Sequence, residues 1–293
     1  MSISLAQWQQ QGLYFIVNGE RIFYRCSGNR HKPVLLLIHG FPTASWDWRH
    51  LWPVLSRDYC LVAADMPGFG FSAKPRSWQY SIALQADVQQ ALLRELNIQQ
   101  FHILAHDYGD TVAQELLARH AEQPIGIQSV TLLNGGLFPE THQPLLAQRL
   151  LISPLGFLLA KFFNGKKLRR TFARICYQPL AEEELQGFWT LMNHQNGRAV
   201  LPKLIRYMSE RRRYRSRWVG ALQQSPVPLC LINGSDDPIS GRHMVARYRE
   251  LVGDINITEL AQVGHYPQLE APAAVLAAWQ NFMAAQQPNE QNL

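Results

Sequence analysis

Phe101-His-Ile-Leu-Ala-His-Asp-Tyr-Gly-Asp-Thr-Val112 is the stretch on which the fold turns. Phe101 to Ala105 is an apolar run of buried-strand length. His106-Asp107-Tyr108-Gly109 breaks it, and from Thr111 the pattern becomes helical, with Val112, Leu116 and Leu117 on one face. A strand, a sharp turn and a helix, with one reactive side chain at the apex, make a nucleophile elbow. The apex residue is aspartate. Small neighbours, Ala105 and Gly109, suit a strained apex crowded against a helix start. The helix N-terminus favours an anion there, so a carboxylate can stay ionised and attack carbon. A surface aspartate capping a helix is the plainer alternative, and the rest of the chain decides between them.

Working outward, apolar runs alternate with helical patterns. Gly12–Val17 and Arg21–Cys26 flank Asn18-Gly19, a hairpin signal. Pro33–Ile38, Cys60–Ala64, Ile127–Leu133, Val227–Ile232 and Asn256–Leu260 read as further strands. Trp46–Leu55, Ser81–Leu96, Arg242–Leu251 and Pro272–Ala285 read as helices, and the tail from Gln286 reads as frayed. Residues 138–224 show no buried strand and are aromatic, basic and helical in rhythm. The expectation is an α/β fold: a mostly parallel eight-stranded sheet flanked by helices, with a helical cap inserted after strand 6. The core would comprise 1–137 and 225–293, and the cap 138–224.

The chain has 293 residues, is 47% hydrophobic and carries a net charge of +6. Residues 150–220 hold 14 Lys and Arg against 4 Asp and Glu, so the basic character belongs to that segment. The Arg211–Arg217 run is read as the solvated coat of a cap helix, without a nucleic-acid fold to go with it. Leu150–Phe163 is apolar and lies beside Lys166, Lys167, Arg169 and Arg170, which makes peripheral contact with an anionic membrane a further expectation. No signal peptide or membrane span is read, and Cys26, Cys60, Cys176 and Cys230 are scattered without ligand spacing. A reduced, cytoplasmic protein without metal or cofactor is expected. Gly68-Phe-Gly-Phe-Ser-Ala73 matches a dinucleotide fingerprint in form, but Pro67 and Pro75 oppose the helix that motif needs.

Three polar positions follow strand ends, where open α/β sheets collect their chemistry. Asp107 follows the fifth strand, Asp237 of Asn233-Gly-Ser-Asp-Asp-Pro238 the seventh, and His265 of Val263-Gly-His-Tyr-Pro-Gln268 the eighth. Nucleophile, acid and base in this order match the α/β-hydrolase arrangement. Asp236 competes for the acid role, and Asp237 is preferred because it directly precedes Pro238.

The chain resembles the α/β-hydrolase fold superfamily along nearly its whole length. His39-Gly40-Phe41-Pro42 resembles the turn that supplies half of an oxyanion hole, and Asp65-Met-Pro-Gly-Phe-Gly-Phe-Ser72 a loop of the same folds. His106-Asp107-Tyr108-Gly109 resembles the elbow of the epoxide hydrolase and haloalkane dehalogenase branch, whose nucleophile is aspartate. His106–Asp110, Asn134–His142, Arg217–Leu222 and His265–Glu270 are closer still to the mesoderm-specific transcript branch, whose substrate is unsettled.

The resemblance implies catalytic Asp107, Asp237 and His265, an oxyanion hole from the amides of Phe41 and Tyr108, and a small apolar electrophile as substrate. Epoxide hydrolases stabilise the leaving oxygen with two cap tyrosines. The candidates here are Tyr207, then Tyr214, then Tyr177, and Trp189 is a further candidate to bind substrate. Dehalogenases use a Trp after the nucleophile plus an Asn or second Trp, and Tyr108 and Phe41 depart from that pattern. A binding or scaffold role on the same fold is the non-enzymatic alternative. Asp110, where a small residue is usual, is expected to be a first-turn carboxylate favoured by the helix dipole.

Overall fold

The computed structural model describes residues 3–286. Eight strands, β1 (Leu13–Val17), β2 (Glu20–Ser27), β3 (Val34–Ile38), β4 (Cys60–Ala64), β5 (Phe101–His106), β6 (Ile127–Leu133), β7 (Leu229–Gly234) and β8 (Ile257–Leu260), build one sheet in the order β1-β2-β4-β3-β5-β6-β7-β8. β1 and β2 pair antiparallel, as do β2 and β4, and every other pair is parallel. The sequence runs explain this order. β4 is buried at every position and β3 and β5 at nearly every one, as befits central strands covered on both faces. Exposed Leu13 and Ile16 fall on β1, at the sheet edge.

Helix α1 (Leu5–Gln10) precedes the sheet and was not anticipated, because six residues give too short a period to read. The Ser4 hydroxyl caps it by accepting from the Gln7 amide, and Trp8 packs edge-on against Trp52 at 4.8 Å. The helix expected over Trp46–Leu55 is a 3-10 segment, Ser45–His50, followed by α2 (Trp52–Leu55). Helices α3 (Ile82–Glu95) and α4 (Tyr108–Glu122) pack on each other.

Between β6 and β7 the chain is helical: α5 (Leu146–Ile152), α6 (Gly156–Lys161), α7 (Gly165–Ile175), α8 (Glu182–Asn193), α9 (Leu201–Leu204), α10 (Tyr207–Arg213) and α11 (Arg215–Gln223). α12 (Arg242–Leu251), α13 (Pro267–Glu270) and α14 (Pro272–Gln286) complete the chain; the tail beyond Gln286 lies outside the described residues.

The insertion is bolted to the core at named points. The Arg217 guanidinium donates to Glu115 of α4 at 2.8 Å and pairs with Glu122, and the Trp218 indole donates to Glu115 at 2.8 Å. Arg49 lies buried over the Trp46 ring and pairs with Glu184 of α8. Glu270 accepts from the amides of Tyr177 and Gln178 in the insertion, and from those of Gly264 and Tyr266 on either side of His265. One carboxylate therefore ties the loop after β8 to the end of α7.

Candidate active site

Asp107 is the single residue between β5 and α4, with φ 47° and ψ −105°, a sparsely populated conformation for a side-chain-bearing residue. The surroundings hold it there. Its amide donates to the Leu133 carbonyl of β6 at 3.0 Å, and its carbonyl accepts from Arg211 at 3.1 Å. Gly109 is required by space: a Cβ there would stand 2.4 Å from the Ile38 carbonyl oxygen of β3. The Phe41 amide donates to Asp107 Oδ2 at 3.1 Å, while Tyr108 opens α4, where first-turn amides lack partners within the helix.

His265 lies opposite. Its Nε2 is 3.9 Å from Asp107 Oδ1, beyond hydrogen-bond length, and its Nδ1 bonds Asp237 Oδ2 at 2.7 Å. Asp237, not Asp236, faces the imidazole; Asp236 accepts from the Gln262 amide and shapes the turn. Asp237 is saturated with donors: Asn134 Nδ2 at 3.0 Å, the Ser240 hydroxyl at 2.8 Å and the Ile239 amide at 2.7 Å. Burial works against its charge, but the His265 charge, its hydrogen bond and these donors outweigh burial and keep the carboxyl below its ordinary value. For His265 burial again opposes the charge. The Asp237 carboxylate and its hydrogen bond, then the charge of Asp107, prevail and raise the imidazole to about 9. His39 braces the Phe41 turn, accepting at Nε2 from the Met66 amide at 3.0 Å. Asp65 in turn accepts from Ser45 and from the Phe71 amide, so the glycine-rich loop after β4 serves as a structural tie.

One residue at the elbow escaped the sequence reading. Arg211 was assigned to a solvated coat, yet it is 2% exposed and reaches down to the elbow. Its Nε donates to Thr111 Oγ1 at 2.7 Å, its Nη2 lies 3.8 Å from Asp107 Oδ1, and its Nη1 has no partner. Gly136 makes room for it, since a Cβ there would stand 2.4 Å from Arg211 Nη1 and 3.0 Å from His142 Nδ1. Burial, then the Arg211 charge, push His142 down to about 3, so it stays neutral. Spacing was the available signal for Arg211: it follows Tyr207 by four residues and shares its helical face.

Tyr207 is fully buried, packs 4.7 Å from the Tyr108 ring and 6.2 Å from Phe41, and has a hydroxyl without a hydrogen-bond partner. Burial, then the charge of Asp107, push its phenol above the ordinary value. The other aromatic candidates lie elsewhere. Tyr214 is 38% exposed beside Trp218, and Tyr177 is exposed at the end of α7. Each stands at the end of a helix with its ring turned toward solvent, which corrects the expectation that they reach the site. Trp189 packs between Phe163 and Arg198 and does not line the cavity. Asp110 stands in the first turn of α4 as expected, but its surroundings do not favour the charged carboxylate. It is fully buried with Oδ1 3.4 Å from the Leu133 amide, and burial followed by the Asp107 charge raises its carboxyl well above the ordinary value.

An apolar cavity opens onto His265 and Phe41. Leu145, Leu151, Phe163, Leu168 and Phe172 of the insertion form much of its wall. Among the described residues no group of His, Cys, Asp or Glu is arranged to hold a metal.

With an eight-stranded sheet, an elbow after β5 and an acid and a histidine after β7 and β8, the decisive comparison is with the α/β-hydrolase fold, whose family profile matches residues 33–272. The chain belongs to the α/β-hydrolase fold family. It is similar to the mesoderm-specific transcript protein of Mus musculus, at 40% identity covering 97% of this chain and 89% of that one. Among solved structures it resembles a haloalkane dehalogenase loop variant from Bradyrhizobium elkanii, with a TM-score of 0.78 at 24% identity covering 94% of this chain and 97% of that one. It also resembles the epoxide hydrolase CorEH, with a TM-score of 0.75 at 20% identity covering 94% and 99%. At these identities the two structures establish the fold alone.

Proposed function

We propose that this α/β-hydrolase opens a small apolar epoxide through an ester of Asp107. The observation that carries the reading is the Tyr207 phenol, buried, without a partner, and within the field of Asp107. An epoxide oxygen needs a proton donor as the ring opens, because an alkoxide leaving group in an apolar pocket has no water to supply one. An Asp107 oxygen attacks the ring carbon, the C–O bond breaks, and the Tyr207 hydroxyl donates to the departing oxygen.

The ester carbonyl then takes the place of Asp107 Oδ2 beside the Phe41 amide, which with the Tyr108 amide stabilises the oxyanion as water adds. His265 accepts the proton of that water and Asp237 holds the imidazolium. The charges fit this order. In the resting site the imidazole is raised to about 9 partly by the Asp107 charge. Esterification removes that charge, so the imidazole loses affinity for its proton at the step that needs a base. Halide release, the activity named for the Bradyrhizobium protein, is the weaker alternative, because the two dehalogenase donor positions hold Tyr108 and Phe41. A scaffold role is weaker still, because it gives no use for the Asp237–His265 pair.

Single-turnover reaction with a styrene-type epoxide in 18O-water tests the sequence of bonds. The expected result is label in the Asp107 carboxylate and an unlabelled diol. Label directly in the diol after one turnover would mean that water, not Asp107, attacks the ring.

A further inference from the structure

Between Glu140 and Glu182 the chain has no acidic residue and seven Lys or Arg. The same stretch also exposes large apolar side chains. Leu146, Leu150, Leu155, Phe157, Leu158 and Phe162 are each 43 to 66% exposed, six of the 12 large hydrophobic side chains most exposed among the described residues. They fall within α5, α6 and their flanks. A soluble surface scatters such residues singly, and a contiguous ridge of them marks something it meets. The ridge is folded: Leu151, Ala160 and Leu168 beneath it are buried in the core.

Charge identifies what the ridge meets. Elsewhere in the insertion Arg215 pairs with Glu140, and Arg217 with Glu115 and Glu122. Beside the ridge, Lys161, Lys166, Lys167 and Arg170 are exposed, and none has a carboxylate partner among the described residues. A groove with Phe157 on its wall is lined by Arg76, Lys161, Arg198 and Lys203, with no acidic side chain among its lining residues. An apolar ridge rimmed by uncompensated cations complements a bilayer with anionic headgroups, the apolar residues entering the acyl boundary and the lysines meeting phosphate. A second copy of this chain would bring the same cations against each other.

We propose that the α5–α6 ridge docks this protein on an anionic phospholipid bilayer, with the Arg76–Lys203 groove receiving a headgroup phosphate. The cavity beside His265 is walled by Leu145, Leu151 and Leu168, from or adjoining the helices that carry the ridge and its lysines.

Flotation of the full chain with vesicles tests this, using phosphatidylcholine alone and phosphatidylcholine with phosphatidylserine. Binding to the anionic vesicles and little to the neutral ones is expected. Because each cation near such a surface contributes about 1 kcal/mol, the Lys166→Glu/Lys167→Glu variant should bind at least about 30-fold more weakly. Phe157→Ser/Phe162→Ser should also lose binding, and both variants should keep the wild-type melting temperature because the residues are exposed. The Asp107→Asn variant should bind as wild type, so docking and ester chemistry stand or fall separately. Equal binding to both vesicle types, binding to neither, or unchanged binding of both surface variants would overturn the proposal. So would a solution dimer that the Phe157→Ser/Phe162→Ser variant dissociates without vesicle binding, which would assign the ridge to self-association.

Discussion

The two sides of the site are built differently. On the sheet side, Asp107, Asp237 and His265 stand at the ends of β5, β7 and β8, and Asn134 after β6 braces the acid. Its side chain donates to Asp237 and to the carbonyls of Gly234 and Gly264, and accepts from the Gly234 amide at 2.7 Å. On the insertion side, Tyr207 and Arg211 reach the elbow from one short helix, and the cavity wall is apolar side chains without such ties. A backbone-anchored network fixes distances; a helical cover packed by side chains sets shape and access. In the proposed mechanism the sheet side serves the water-attack step and the insertion side chooses and opens the substrate.

Mutations can break that division. The largest effect belongs to His265→Ala: about 10²–10⁴-fold slower hydrolysis of the ester, with its formation little changed, read by pre-steady-state kinetics. Tyr207→Phe should do the reverse, slowing ester formation by about 10²–10³-fold and leaving its hydrolysis near wild type. If both variants slow the same step, the two sides do not divide the reaction.

Arg211→Met removes a buried guanidinium that bonds the Asp107 carbonyl and Thr111, and should cost about 2–3 kcal/mol in urea unfolding. Arg211→Lys should not restore it, because an ammonium lacks the fork that reaches both partners. A surface arginine such as Arg212 should unfold like wild type when changed to Met.

A pH test separates the sides again. The folded imidazole of His265 is raised to about 9, against about 6.5 when unfolded, so its stabilising contribution is complete below about 6.5 and is lost as pH rises through about 9. The stability advantage of wild type over His265→Ala should shrink across that window, while the gap to Arg211→Met stays flat. The smallest effect is that of Tyr214→Phe, which should leave turnover unchanged because the ring is exposed beside Trp218.

The sheet side was legible because its residues follow strand ends, and strands of Val, Leu and Ile announce themselves. Asp107, Asp237 and His265 could each be placed after an apolar run, and the choice of Asp237 over Asp236 matches the side chain that meets the imidazole. The insertion side was not legible. Within a run of five arginines in seven residues, the four-residue spacing from Tyr207 is the one hint of which turns inward. The room made for Arg211 by the missing Cβ of Gly136, 75 residues earlier, is a tertiary fact that no spacing shows. The same blindness placed Tyr214 in the pocket, since its position depends on how helices cover the elbow.

The most direct test of the central claim is the intact mass of His265→Ala protein after exposure to an epoxide panel and a haloalkane panel. The account predicts a stable gain equal to the whole mass of the epoxide, mapped by peptide sequencing to Asp107, and no adduct from the haloalkanes. An unmodified protein after both panels, or an adduct on any residue other than Asp107, would contradict it.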